Sequence, residues 1–246
     1  MILGAPIVKK GTKSLTVLVT AGPTRAYLDK VRYLSNYSSG QLGYEICRFL
    51  EKKIGKVIAV VGPCEAPFHQ LKKTKVIKIQ TVGEMHKAVM EICRKERPRF
   101  AVLSAAVLDF EPKKARFGKV SSKQNWKVEL VPTVKIIDEI SRRFPKIKKI
   151  AFKLEWKPVS EEKVKKFALD NMKVKSADAL CLNFLSEIKS DSHPAIFFTR
   201  DGRMKRLKSK REIAAEIGGF ILECFVVHHK EASTHSPSLI PSKIST

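Results

Sequence analysis

The strongest constraint on the fold is an alternation of short apolar runs with helix-periodic segments. "LTVLVT" (15–20), "KVIAVVG" (56–62), "RFAVLSAAV" (99–107), "IKKIAFKLE" (147–155) and "ADALCLN" (177–183) have the length and apolar density of buried strands. Between them, apolar residues recur at helical spacing: Leu42, Ile46, Phe49 and Leu50 up to Gly55; Met85, Val89 and Ile92 up to Pro98; Ile136, Ile137 and Ile140. Thr133 is the expected cap of the third of these helices, and Ser160 opens a fourth. "KVIKIQ" (75–80) and "KVELV" (127–131) add two shorter strands. Near the C-terminus "AIFFTR" and "RMKRLK" flank Asp201-Gly202, a hairpin signal, and "SKRE" (209–212) reads as a capping box opening a last helix through Ile213, Ile217 and Phe220. Strands alternating with helices imply a Rossmann-like three-layer αβα fold, with a mostly parallel sheet and a C-terminal antiparallel hairpin.

At 246 residues with 43% hydrophobic content, the chain can bury a large core. No linker or repeat divides it, so residues 1–230 are expected to form one domain. Residues 231–246, rich in Ser, Thr, Pro and His, are expected to be a disordered tail. No apolar run is long enough for a membrane span, and the N-terminus lacks the pattern of a secretory signal. The five cysteines, at 47, 64, 93, 181 and 224, are odd in number and contain no CxxC pair. That spacing argues against a zinc knuckle and for reduced thiols in the cytoplasm. A net charge of +24 would attract polyanions. However, the basic clusters "PKIKK" and "MKRLKSKR" carry no aromatic residues to stack on bases, so nucleic acid is not the expected partner. A basic surface also suits small anionic substrates.

Ligands of open α/β sheets bind beyond the carboxyl ends of the strands, and three segments there carry unusual polar content. After the first strand comes "TAGPTRAYLDKVRYLSNYSSGQLGYEICRFL", too long for an ordinary strand-to-helix link of about 2–6 residues. Gly22 stands where phosphate-binding glycines are found, although GxGxxG is absent. Ser38, Ser39 and Gly40 precede a helix, where free N–H groups and the helix dipole favour an anion; an ordinary Ser cap and Gly turn would look the same. Arg32 and Asn36 close by would hold a phosphate or carboxylate. The second segment, "LSAAVLDF", offers small residues at Ser104 and Ala105 after Leu103, on which a ligand can lie close, and a lone carboxylate, Asp109, to accept from a ribose or base or to serve as a turn residue. In the third, "FGKVSSK", Lys119 lies in a polar stretch (111–126) expected to be a mobile loop that could close over a triphosphate.

Taken together, these segments resemble phosphopantothenate–cysteine ligase, also called phosphopantothenoylcysteine synthetase, of coenzyme A biosynthesis. The family pattern runs roughly AGPT-R-E-x-I-D-P-V-R-x-I-S-N-x-S-S-G-x-x-G. "SAAVLDF", "GKVSS", "VPTVKIIDEI", "AFKLE" and "KSADALCLNFLSEI" follow in the family's order, so the resemblance spans about residues 14 to 220. It implies that CTP or ATP, with Mg²⁺, activates the carboxylate of 4'-phosphopantothenate as an acyl-nucleotidylate with loss of pyrophosphate. The amine of L-cysteine then displaces the nucleotide and forms an amide. By the same resemblance, Lys119 acts in forming the intermediate, Asn36 stabilises it and Arg32 serves its turnover. Leu103 to Ala105 and Asp109 hold base and ribose, Phe152 walls the nucleotide pocket and Lys175 reaches the nucleotide. A homodimer is implied as well.

The pattern breaks at Ala26 (Glu in the family), Lys30 (Pro), Val134 and Lys135 (Pro and Asp in bacterial members) and Asn171 (Lys). Fused bacterial members carry a flavin-dependent decarboxylase ahead of the ligase. The first strand here begins near residue 15, so a stand-alone ligase without FMN is the expectation. The other possibility is a basic Rossmann-like protein that binds a nucleotide or nucleic acid without catalysis.

Overall fold

The computed structural model describes residues 14–157, 160–189 and 192–234. An eight-stranded sheet runs in the order β12–β11–β10–β9–β6–β1–β4–β5, where β1 is Thr16–Ala21, β4 Lys56–Val61, β5 Thr74–Lys78, β6 Phe100–Leu103, β9 Lys148–Glu155, β10 Ala179–Phe184, β11 Ala195–Thr199 and β12 Met204–Leu207. The six strands from β10 to β5 are parallel. The last two add on antiparallel as the hairpin foreseen around Asp201-Gly202. Gly202 turns that hairpin with φ +86°, a backbone region that favours glycine.

The strands read as unbroken apolar runs because both faces of the sheet are covered. On one face Val17, Val19, Val57, Ala59, Val102 and Phe197 meet Ile46 and Leu50 of α1 (Gln41–Leu50) and Ile213, Ile217 and Ile221 of α5 (Lys210–Thr234). Gly218 lets α5 lie against α1, since any Cβ there would strike the Phe49 ring. On the other face Leu18, Ile58, Val60 and Ala101 meet Met85 and Val89 of α2 (Val82–Glu96) and Ile140 of α3 (Ile136–Arg143). Ala151, Leu180 and Leu182 continue this face beneath Val164, Ala168 and Met172 of α4 (Glu161–Val174). Among the described residues no helix is long and apolar enough to cross a membrane.

Several local expectations are corrected. Of "KVELV" only the end is strand, and it lies outside the main sheet. Its end, β8 (Leu130–Pro132), pairs antiparallel with β7 (Phe110–Pro112), so the stretch 111–126 begins in a strand. The run "RFAVLSAAV" supplies only four strand residues, because after Leu103 the chain turns onto β1, with the Ser104 hydroxyl donating to Thr20 O (2.7 Å). Thr133 does not cap α3: its hydroxyl donates to Leu108 O (2.6 Å), and Lys135 is the N-cap residue. At α5 the Ser209 hydroxyl accepts from Glu212 N–H (3.2 Å), but the Glu212 carboxylate takes the N–H of Lys208 rather than that of Ser209 (2.9 Å). The helix continues to Thr234, and residues 235–246 of the expected tail lie outside the described residues.

Topology fixes where a ligand can bind. From β1 the chain moves outward to β4 and β5, and α2 then carries it back to β6 on the other side of β1. The strand order therefore reverses between β1 and β6, and the crevice at their carboxyl ends is the natural ligand position.

Candidate functional site

A cleft of about 160 Å³ opens at that point. Thr20 of β1, Leu103 at the end of β6, Ala105 just after it, and Ala151 and Phe152 of β9 line it, with Ile136 and Ile137 of α3. The segment after β6 is spliced onto β1: the Thr20 hydroxyl accepts from Ala105 N–H (3.3 Å), and Ala106 N–H donates to Gly22 O (2.9 Å). Gly22 makes this turn at φ +71°.

The polar side chains lining the cleft are those of Thr20, Asp109, Thr133, Lys135 and Lys175. Lys135 and Asp109 form an ion pair. Lys175, the C-cap residue that follows α4, also lines the cleft. Burial lowers its pKa, the neighbouring Lys153 and Lys135 lower it further, and Asp109 and Asp138 only partly compensate. Two lysines, Lys135 and Lys175, thus line the cleft against one carboxylate, Asp109, which favours an anionic ligand. Leu103, Ala105, Asp109, Phe152 and Lys175 were all expected in one site, and the fold brings them to one cleft. Thr133 and Lys135 also line it, although the sequence marks one as a helix cap and the other only as a departure from a pattern. Ser104 lies beside the cleft with its hydroxyl turned into the backbone of β1.

Arg32, Asn36 and Lys119 do not line the cleft; they occupy an arm next to it. The long connector after β1 folds into a hairpin of β2 (Arg25–Tyr27) and β3 (Tyr33–Ser35). It is held to the segment after β6 because the fully buried Thr24 accepts from Leu108 N–H through its hydroxyl (3.0 Å), and because Asn36 Nδ2 donates to Val107 O (3.1 Å) and more distantly to Ala106 O (3.4 Å). Val107 itself lines the cleft, so Asn36 grips the rim from outside. Arg32 Nη1 donates to the Asp29 carboxylate (2.6 Å) and to Val120 O (3.2 Å). Lys119, between Gly118 and Val120, is exposed.

Asp29 escaped sequence reading, although an Asp followed two and three residues later by ordered N–H groups is an Asx-type turn signal. Burial pushes its carboxyl up. The N–H groups of Val120, Val31 and Arg32, with the Arg32 guanidinium, outweigh that and hold the pKa at about 2.

Ser38, Ser39 and Gly40 lead into α1 as expected, yet the cap is Gly40, with φ +73°, and no acidic side chain occupies the first turn. The Ser39 hydroxyl accepts from Gln41 N–H (3.4 Å). A side chain at position 40 would collide with the Cys64 thiol as well as adopt a left-handed backbone. Gly40→Ala is therefore expected to lower unfolding free energy by at least about 1–2 kcal/mol from backbone strain alone, read from urea denaturation.

The family model for the DNA/pantothenate metabolism flavoprotein C-terminal domain matches residues 12–224. Over 209 residues the chain is 32% identical to the coenzyme A biosynthesis bifunctional protein CoaBC of Thermococcus kodakarensis, covering 85% of this chain and 51% of that protein. The chain therefore spans about half the length of the curated relatives it matches. The fold is shared with a DNA/pantothenate metabolism flavoprotein from Streptococcus pneumoniae (TM-score 0.75, 24% identity, covering 85% of this chain and 99% of that one). It is also shared with a mutant of Cab2 solved in complex with phosphopantothenate-cysteine (TM-score 0.69, 17% identity, covering 89% of each). The parallel sheet, the cleft at its reversal point and a match over residues 12–224 agree: the chain belongs to the family of DNA/pantothenate metabolism flavoprotein C-terminal domains.

Proposed function

We propose that this chain is a phosphopantothenate–cysteine ligase of coenzyme A biosynthesis. The observation that carries the reading is the meeting of a basic cleft, holding Asp109, Phe152 and Lys175, with an arm that carries Arg32, Asn36 and Lys119 beside its rim. A cleft of about 160 Å³ is small for a whole nucleotide. It takes the base and ribose, stacked on Phe152 and resting on the backbone of Leu103 to Ala105. The phosphates then extend toward the arm and the open N-terminus of α1 at Ser38, Ser39 and Gly40.

The reaction follows in two steps. A carboxylate oxygen of 4'-phosphopantothenate attacks the α-phosphorus of CTP or ATP; the bond to the β-phosphate breaks and pyrophosphate leaves. The amine of L-cysteine then adds to the acyl carbon, loses a proton and expels the nucleoside monophosphate. Lys119 supplies positive charge where the triphosphate divides, and the Asn36 amide donates to the acyl-nucleotidylate. Arg32 orients the intermediate for cysteine. Mg²⁺ would enter with the nucleotide substrate, carried on its phosphates.

Two small hairpins expose Tyr27, Val31, Tyr33, Phe110 and Leu130. Such an apolar surface supports a homodimer formed through the arm. Five free thiols suit a reducing compartment, the cytoplasm. Incubation with 4'-phosphopantothenate, L-cysteine, Mg²⁺ and either CTP or ATP should release pyrophosphate and yield phosphopantothenoylcysteine. Absence of product with both nucleotides would overturn the assignment, and nucleotide binding without product would identify a non-catalytic relative.

A further inference from the structure

A carboxylate with a fully buried side chain, in a short polar loop at a hairpin tip, needs an explanation. Asp29 spans two parts of the chain about ninety residues apart. Its Oδ1 accepts from the N–H groups of Val31 (2.8 Å) and Arg32 (2.7 Å), which shapes its own turn. Its Oδ2 accepts from Arg32 Nη1 (2.6 Å) and from Val120 N–H (3.1 Å), which belongs to the loop carrying Lys119. The same seam is closed by Lys30 N–H to Gly118 O (3.2 Å), Arg116 N–H to Leu28 O (2.8 Å) and Arg32 Nη1 to Val120 O (3.2 Å). Two cation–ring contacts flank it: Lys30 over Phe117 (5.1 Å) and Arg32 over Trp126 (5.8 Å).

The consequence for Lys119 is specific. The backbone is pinned on both sides of it, at Gly118 and at Val120, while its own side chain is exposed. A lysine in a long polar loop would normally lose its position to chain entropy. Here the loop is anchored and the cation is left available, which is how a group that must meet developing charge is preorganised. Asp29 also holds one arm of the Arg32 guanidinium, so a single carboxylate fixes both basic groups relative to each other.

We propose that Asp29 is a positioning residue: its carboxylate docks the loop bearing Lys119 onto the β2–β3 hairpin and so sets Lys119 and Arg32 for the reaction. It touches no substrate. This rests on the ligase reading for its effect on rate, but the docking itself can be measured without any substrate. Asp29→Asn keeps the shape and replaces one of the two accepting oxygens with an NH₂, which faces N–H donors it cannot satisfy.

The docking test uses Trp126, one of two tryptophans. In a Trp156→Phe background, Asp29→Asn should raise acrylamide quenching of Trp126 while far-UV circular dichroism stays the same. Unchanged quenching in the folded variant overturns the proposal. In the unmodified protein, amide exchange should be slower at Val120 than at Lys119 or Ser121, which tests the latch even if Asp29→Asn does not fold; equal exchange overturns it. The functional test is a double-mutant cycle. Asp29→Asn should lower kcat at least tenfold, and Asp29→Asn combined with Lys119→Ala should slow the enzyme by much less than the product of the two single effects, because part of the first substitution's effect passes through Lys119. Multiplying effects would mean that Asp29 acts independently of Lys119 and would overturn the proposal. If the chain shows no ligase activity, the function assignment fails, while quenching and exchange still decide the latch.

Discussion

Lys119→Ala is expected to reduce turnover by about two to three orders of magnitude while leaving the thermal midpoint where it was. The two halves of that expectation come from different observations. Lys119 is exposed and no hydrogen bond or ion pair ties its amine to the described residues, so its removal takes nothing from the folded state. Exposed substitutions of this kind change stability by no more than about 0.5 kcal/mol. The rate loss follows from the chemistry proposed. When the α-phosphorus is attacked, charge accumulates on the departing pyrophosphate, and a cation held close by a pinned backbone is worth more there than a solvated ion. The loss should appear in the first half-reaction: pyrophosphate release in a single turnover should slow as much as product formation does. Lys119→Arg should recover part of the rate, since the charge remains but its compact geometry does not. A Lys119→Ala protein that releases pyrophosphate at the normal rate would remove this residue from the mechanism.

The architecture was legible in the sequence because burial on both faces of a parallel strand writes itself locally. "TVLVTA" and "KVIAVV" have neighbours on either side, and their runs of apolar residues say so. The cleft was legible for a related reason. Leu103 ends β6 and Asp109 lies in the segment that follows it, where an α/β fold places its ligand, whereas Phe152 inside β9 and Lys175 at the end of α4 are reached only through the family resemblance. What escaped were features created by contacts between distant segments. "KVELV" has a strand's composition, but its partner is Phe110–Pro112 and not the central sheet, and no local pattern reveals a strand's partner. Thr133 has a cap's identity but spends its hydroxyl on Leu108 O, a bond across twenty-five residues. Asp29 is one of several carboxylates in the sequence until the loop at Val120 folds over it.

Lys135 shows the same limit from another direction. In sequence it is a break in a bacterial pattern. In the fold it neutralises the carboxylate expected to meet the ribose or base. On the proposed reading, an incoming nucleotide meets Asp109 already paired with Lys135.

Asn36→Ala should lower turnover by about a hundredfold or more, with a modest stability cost. Asn36 is exposed, and its Nδ2 reaches Val107 O at 3.1 Å. Losing one such bond costs about 0.5–1.5 kcal/mol, so the protein should remain folded at assay temperature. The larger effect comes from its position. It is tied to the outer side of a segment whose inner side lines the cleft, and an amide there can donate to an acyl-nucleotidylate extending out of it. Asn36→Asp separates this role from simple anchoring. Aspartate keeps the size and loses the donor, and its negative charge would face a phosphoester, so the variant should be at least as slow as Asn36→Ala. If Asn36 served only to hold the hairpin to Val107, the defect would instead follow stability and fade on cooling. A folded Asn36→Asp enzyme with near-normal turnover would rule out donation to the intermediate, and any residual role would then be confined to the hairpin's attachment at the cleft rim.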